Sequence, residues 1–352
     1  MGAVAAAIRD LGYLVSGSDD NVYPPMSTFL AAKEIPIATG FRPENLPADV
    51  DLVVIGNAIS RGNPELEAVL DRNLLYRSLP ETLKEFFLQG KQNIVVTGTH
   101  GKTTTTSLAT WIFRTAGLKP GFLIGGIAKD LGQGAAFPDS PYFVIEGDEY
   151  DTAFFDKRSK FLHYLPQTLV INNIEFDHAD IFHDLEEILV SFRRLVNVVP
   201  RCGRIFINGD DPRCAAVTEH AFAPVYTVGF SESADLRIAN VEYHEYGSGF
   251  TLGADPFEMQ LLGAFNVRNT AMAISVAQAY GISTGIIQKA VRSFSGVARR
   301  QDLRGEVNGI KIIDDFGHHP TAIRETFLAL RCRYPKGRLA GCLDGLDHFD
   351  RV

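Results

Sequence analysis

Val95-Val96-Thr97-Gly98-Thr99-His100-Gly101-Lys102-Thr103-Thr104 reads as a buried strand that breaks into a glycine-lysine-threonine loop and restarts as a helix. The two glycines free backbone N–H groups to ring a polyphosphate, and a helix beginning near Lys102 turns the positive end of its dipole toward it. Lys102 would lie against the outer phosphates, and Thr103 can offer its hydroxyl to Mg2+. These residues favour a nucleoside triphosphate site in a strand-to-helix corner. The usual loop carries glycine where Val96 stands, so a plain corner that happens to hold a lysine is the competing interpretation.

At 352 residues the chain exceeds one ordinary core, so two or three domains are expected. A net charge of -8 leaves no basic excess to offset nucleic-acid phosphates, so a phosphorylated ligand must be held by local features. Cys202, Cys214, Cys332 and Cys342 are scattered without metal-type pairing, which fits a reducing cytoplasm better than secretion. No run has the length of a membrane span, and the apolar start is broken by Arg9 and Asp10, against a signal peptide.

Residues 3–11 read as a helix stopped by Gly12, followed by a strand through Tyr13-Leu14-Val15 that ends at Ser18-Asp19-Asp20. That order is the second half of a dinucleotide-type βαβ unit. The unit is expected to lack its first strand and glycine loop, with Met1-Gly2 as the tail of that loop. A strand over 51–56, a helix from Pro64 capped by Asn63 and a second helix over 80–88 follow, then a linker over 89–93. Strands at 94–97, 142–146, 168–172 and 204–208 alternate with helical patterns, which predicts a mainly parallel α/β sheet. The stretch 236–262 reads as a small antiparallel addition, and 266–280 and 283–294 as helices. A third unit opens near Gly305, with a strand over 310–313 leading into Asp314-Asp315. The expected units are 1–90, 91–303 and 304–352.

The strand 143–145 runs into Glu146-Gly147-Asp148-Glu149-Tyr150-Asp151, hard oxygen ligands that suit Mg2+, although a solvated acidic loop has the same composition. The next strand runs into Asn172-Asn173-Ile174-Glu175-Phe176-Asp177-His178-Ala179-Asp180, where His178 lies between carboxylates as a candidate ligand of a second cation. His163 and His183 read as packing or solvent. Three strand ends, carrying Lys102 with Thr103, Glu146 with Glu149, and His178, can converge on one triphosphate and two cations, the requirement of phosphoryl transfer. The acceptor stays open at this point.

The loop 98–104, the acidic segment 146–151 and the segment 173–180 together resemble the ATP-dependent Mur ligases of bacterial peptidoglycan synthesis. Leu262-Gly263-Ala264-Phe265-Asn266-Val267-Arg268-Asn269, Gly296-Val297-Ala298-Arg299-Arg300 and Asp314-Asp315-Phe316-Gly317-His318-His319-Pro320 continue the resemblance in the same order over nearly the whole chain. Within the family, the stretches 21–28 and 146–161 are most similar to the branch that joins UDP-N-acetylmuramate to the recovered tripeptide L-alanyl-γ-D-glutamyl-meso-diaminopimelate. The branch that adds L-alanine instead is the alternative.

The resemblance implies three domains: an N-terminal Rossmann-like domain for the UDP-sugar, a central ATP-binding domain and a C-terminal Rossmann-like ligase domain. It implies ATP and Mg2+, with an acyl phosphate on the sugar's lactyl carboxylate. Lys102, Glu149 and His178 would act in catalysis, and Thr103, Glu146, Glu149 and His178 would hold the cations. Gly98, Thr99, His100, Gly101, Lys102, Thr103 and Thr104 would bind the nucleotide. Asn266 and Asn269 would lie beside adenine, one helical turn apart, although ordinary helix capping would also account for that pair. Arg300 would reach phosphate, and Asp315 with His318 would approach the nucleotide from the third domain. Ser18, Asp19, Asn57, Gly125 and Gly126 would contact the sugar substrate.

Two departures stand out: no Lys occurs between Asp180 and Arg201, where several relatives place a carbamylated lysine, and Phe265 stands where the family often has His. Roughly 50 residues follow Gly305, few for a self-sufficient core, so the third domain is expected to be incomplete and the chain weakly active or inactive. A triphosphate-hydrolysing switch, a dehydrogenase based on the Ser18-Asp19 strand end, and an inactive remnant that only binds UDP-sugar or a partner are the alternatives.

Overall fold

The computed structural model describes residues 1–177 and 181–342. Its centre is a ten-stranded sheet. From one edge its strands are Asp255–Met259, Gly247–Leu252, Leu236–His244, Val225–Gly229, Arg204–Asn208, Thr168–Ile171, Gln92–Thr97, Tyr142–Glu146, Gly121–Leu123 and Ala135–Ala136. Pairing is parallel from Leu236–His244 to Gly121–Leu123 and antiparallel at both edges. The polar stretch expected as a small antiparallel addition pairs antiparallel within itself and joins the edge of the parallel sheet through Leu236–His244.

Alternation along the central strands divides the apolar side chains between two cores. Ile94, Val96, Val144 and Val170 face the helices Lys102–Thr115, Ala264–Ala279 and Thr284–Ser293. Val95, Phe143, Ile145, Leu169 and Ile171 face the opposite layer, which includes Leu185–Asn197. From Gln92–Thr97 the chain adds strands first on one side and later on the other, so a crevice opens beyond the carboxyl ends of these strands. Register brings Thr97 opposite Ile171 and Val96 opposite Glu146, which sets three loops side by side.

Residues 1–90 hold two parallel pairs, Gly17–Asp19 with Ile37–Thr39 and Val53–Ile55 with Tyr76–Ser78. The strand expected through Tyr13-Leu14-Val15 begins instead at Gly17. Leu14 is 93% exposed there, and Tyr13 sets its ring edge-on to Phe86 with centroids 5.5 Å apart, so the run does not pair and only Tyr13 makes a ring contact. The helix expected over 80–88 is an α-helical turn, Leu79–Leu83, that widens into π geometry over Lys84–Leu88. Ser78 and Glu81 close its start as a reciprocal capping box. Beyond the central sheet, an antiparallel hairpin of Asp302–Val307 and Ile310–Asp314 leads to the helix Pro320–Arg333.

Candidate active site

Glycine is required twice in the loop after Thr97. Gly98 has φ +123°, and a Cβ there would stand 2.9 Å from the Asn173 carbonyl oxygen. Gly101 has φ +81° immediately before the helix Lys102–Thr115, and a Cβ there would collide with Asn269 Oδ1. Backbone bonds tie the loop to its neighbour: Thr99 N–H donates to the Asn173 carbonyl at 3.1 Å, and His100 N–H to Asn173 Oδ1 at 2.7 Å. Thr99 Oγ1 accepts from Glu175 N–H at 2.8 Å. Thr104 is buried under the loop on the first helical turn.

Lys102 turns its ammonium into the crevice. Nζ donates to the Gly98 carbonyl at 2.7 Å and lies 2.9 and 2.8 Å from Oε1 and Oε2 of Glu149. Burial opposes the Lys102 charge, yet Glu149 together with Asp148 and Glu146 outweighs it and holds the ammonium above its ordinary range. Thr103 Oγ1 donates to Glu146 Oε1 at 2.9 Å, and Gly125 N–H to Oε2 at 2.8 Å. Gly126 backs Thr103, its would-be Cβ falling 3.0 Å from Cγ2. Burial pushes the Glu146 carboxyl up despite Gly125, Lys102, Thr103 and Arg300, so protein groups offset its charge only partly. A half-buried carboxylate and a hydroxyl form an oxygen-only donor set that fits a hard divalent cation. Beside them, burial tends to raise Asp148, but the Lys160 ammonium at 2.9 Å holds it below its usual range.

Asn266 and Asn269 are buried on one helix face, with Asn269 Nδ2 3.5 Å from Asn266 Oδ1. Asn266 also donates to the Leu262 carbonyl at 2.9 Å, so it does serve the helix start as well. Asn269 meets the phosphate loop at Gly101. Arg300 lies over the Phe316 ring, 5.2 Å from its centroid. Asp315 accepts from Gln301 N–H at 2.9 Å and Gly317 N–H at 2.8 Å, pinning the turn that leaves the central sheet to the loop before the last helix. His318 Nε2 is 3.8 Å from Asp177, whose carboxylate raises the imidazole pKa.

His178 lies outside the described residues. Ser18 donates to Glu65 at 2.7 Å and Asp19 accepts from Asn21 N–H at 2.8 Å, both within residues 1–90 and in no described contact with the phosphate loop. Asn57 lines a cleft of about 740 Å³ together with Tyr150, Lys157 and Arg194. His163 is buried against Asp156 at 3.1 Å and packs, as expected. Sequence reasoning missed Glu175 and His319. Glu175 Oε2 lies 3.2 Å from His100 Nε2 and 3.4 Å from His319 Nδ1. Pro320 at the first helical position marks His319 as the helix cap, a signal that was readable.

Comparison with known proteins adds the wider context. Residues 96–277 match the Mur ligase middle domain, 1–91 the model described as Mur ligase family, catalytic domain, and 299–351 the Mur ligase glutamate ligase domain. The UDP-N-acetylmuramate–L-alanyl-gamma-D-glutamyl-meso-2,6-diaminoheptandioate ligase of Escherichia coli is 43% identical over 94% of this chain and 73% of its own length. The UDP-N-acetylmuramate–L-alanine ligase of Desulforapulum autotrophicum is 34% identical over 96% of this chain and 73% of its own. Among solved structures, the UDP-N-acetylmuramate:L-alanyl-gamma-D-glutamyl-meso-diaminopimelate ligase of Neisseria meningitides superposes with a TM-score of 0.80 at 40% identity, covering 85% of this chain and 96% of that one.

Proposed function

This chain belongs to the Mur ligase family, and from that premise we propose that it joins the lactyl carboxylate of UDP-N-acetylmuramate to the amino group of L-alanyl-γ-D-glutamyl-meso-diaminopimelate at the expense of ATP. Two relatives named for that tripeptide are 43% and 44% identical, against 34% for a relative named for L-alanine. The observation that carries the chemistry is the meeting of Lys102 and Thr103 with Glu149 and Glu146 at one sheet edge.

In this account the sugar carboxylate attacks the terminal phosphorus of ATP and ADP leaves. The peptide amine then adds to the acyl carbon, loses a proton and expels phosphate, leaving one new amide bond. Lys102 spreads the charge on the phosphoryl oxygens in a crevice that excludes much of the surrounding water. Loop N–H groups from 98–104 orient the phosphates, Asn266 and Asn269 border adenine, and Arg300 reaches phosphate. Asp315 and His318 present the last segment to the nucleotide. Mg2+, when bound, supplies charge neutralisation; Thr103, Glu146, Glu149 and His178 would hold it. Ser18, Asp19 and Asn57, with Gly125 and Gly126, would take the sugar nucleotide. Spans 1–90, 91–303 and 304–352 then serve sugar binding, ATP binding and acceptor binding.

Phosphate release measured with UDP-N-acetylmuramate and tripeptide, dipeptide or L-alanine in turn tests the acceptor. Release that requires the sugar and is highest with the tripeptide is expected. Preference for L-alanine would move the chain to the sister branch.

A further inference from the structure

His100, Glu175 and His319 form a second cluster of possible ligands beside the phosphate loop, and none of the roles above uses it as a unit. One ligand atom from each, two imidazole nitrogens and a carboxylate oxygen, lie within 4.8 Å of one another. Glu175 Oε2 stands 3.2 Å from His100 Nε2 and 3.4 Å from His319 Nδ1. Nitrogen and oxygen ligands of tetrahedral zinc, at bonds of about 2.1 Å, stand about 3.4 Å apart.

The surrounding bonds prepare these side chains to act as ligands. His319 Nδ1 accepts from Thr321 N–H at 3.2 Å, so the ring proton is on Nε2, which donates to the Phe176 carbonyl at 3.3 Å; an ion at Nδ1 would take over the lone pair that Thr321 N–H engages in this structure. A ligating histidine is commonly fixed by such a bond from its other nitrogen to a backbone carbonyl. The unprotonated Nδ1 therefore faces the Glu175 carboxylate, two acceptors with no proton between them. Asn173 and Thr99 hold the backbones of His100 and Glu175 in place.

We propose that His100, Glu175 and His319 bind one transition-metal ion of the zinc class, tetrahedral with water as the fourth ligand, and that this ion clamps the helix Pro320–Arg333 to the phosphate loop. Two imidazoles select such an ion over Mg2+, which favours the oxygen-only donors at Glu146 and Thr103. The clamp is independent of the ligase account, because it needs neither nucleotide nor sugar.

CoCl2 added to the full chain in excess MgCl2 tests it by visible absorption, with ZnCl2 as competitor. The intense bands of tetrahedral Co2+ are expected, displaced by one equivalent of Zn2+. His319→Gln and Glu175→Gln should lose the bands and weaken Zn2+ binding by at least about tenfold. His178→Gln and the exposed His244→Gln should keep both, which separates this site from the proposed Mg2+ ligands. Zn2+ should also raise the Tm of the unsubstituted chain and leave that of His319→Gln unchanged. An octahedral spectrum in the unsubstituted chain, or unchanged Zn2+ affinity in folded His319→Gln and Glu175→Gln, would overturn the proposal. If either variant does not fold, the Co2+ spectrum of the unsubstituted chain decides.

Discussion

Lys102 Nζ sits 2.9 and 2.8 Å from the two carboxylate oxygens of Glu149, and both side chains are almost wholly buried. Two strands of one parallel sheet, their loops leaving the same edge, make this meeting possible. The pair neutralises two charges that neither loop could bury alone.

Lys102→Met removes the ammonium that lies against both carboxylate oxygens of Glu149. Stability should fall by about 3–5 kcal/mol, and ATP-dependent phosphate release by at least about 10²-fold. Lys102→Met/Glu149→Gln should recover much of the stability and none of the turnover. Denaturant unfolding and a phosphate assay on the three proteins check this; a double variant no more stable than the single one would contradict it.

Gly101→Ala forces a side chain into a left-handed backbone position against Asn269. We expect ATP affinity to drop by at least about tenfold, the equivalent of roughly 1.4 kcal/mol, with a lower Tm. Calorimetric titration of ATP reads the first effect. Unchanged affinity would mean that this loop does not cradle the nucleotide.

Glu146 gives a pH-dependent signature. Its carboxyl is raised by burial, so the folded state binds a proton more readily than the unfolded chain, and stability is lost as pH climbs through and above the ordinary carboxylate range. Glu146→Gln should therefore raise Tm at pH 8 in the absence of Mg2+, and should lower the response of phosphate release to added Mg2+. A Tm at pH 8 below that of the parent would contradict the assignment of burial as the dominant cause.

Asp156 behaves in the opposite sense. Its bonds to Arg158, against a smaller effect of burial, lower it to about 2, so its contribution is present above about pH 4 and is lost as pH falls through 2. Asp156→Asn should be less stable than the parent at pH 7 and converge with it near pH 2. Thermal scans across that range check the convergence.

The phosphate loop was legible because it is local: Gly98, Gly101, Lys102 and Thr103 fall within one strand-to-helix corner, and the glycines state their backbone requirement directly. The parallel strands were legible from continuous apolar runs, since both faces of the sheet are covered by helices. The start of the strand at Gly17 was not, because an apolar run alone does not distinguish pairing from the packing of Tyr13 on Phe86. Nor was the hairpin of Asp151–Ala153 and Asp156–Ser159, whose polar residues follow ion pairs rather than alternation. The approach of His319 to Glu175 depends on where the last helix docks, which no local pattern records.

The central claim is that ATP's terminal phosphoryl group passes to the sugar carboxylate before the amide forms. Single-turnover reaction of UDP-N-acetylmuramate carrying ¹⁸O in its lactyl carboxylate, with tripeptide and ATP, tests it by mass spectrometry of the released phosphate. One labelled oxygen per phosphate is the predicted result. Phosphate formed together with amide but free of label would contradict the account.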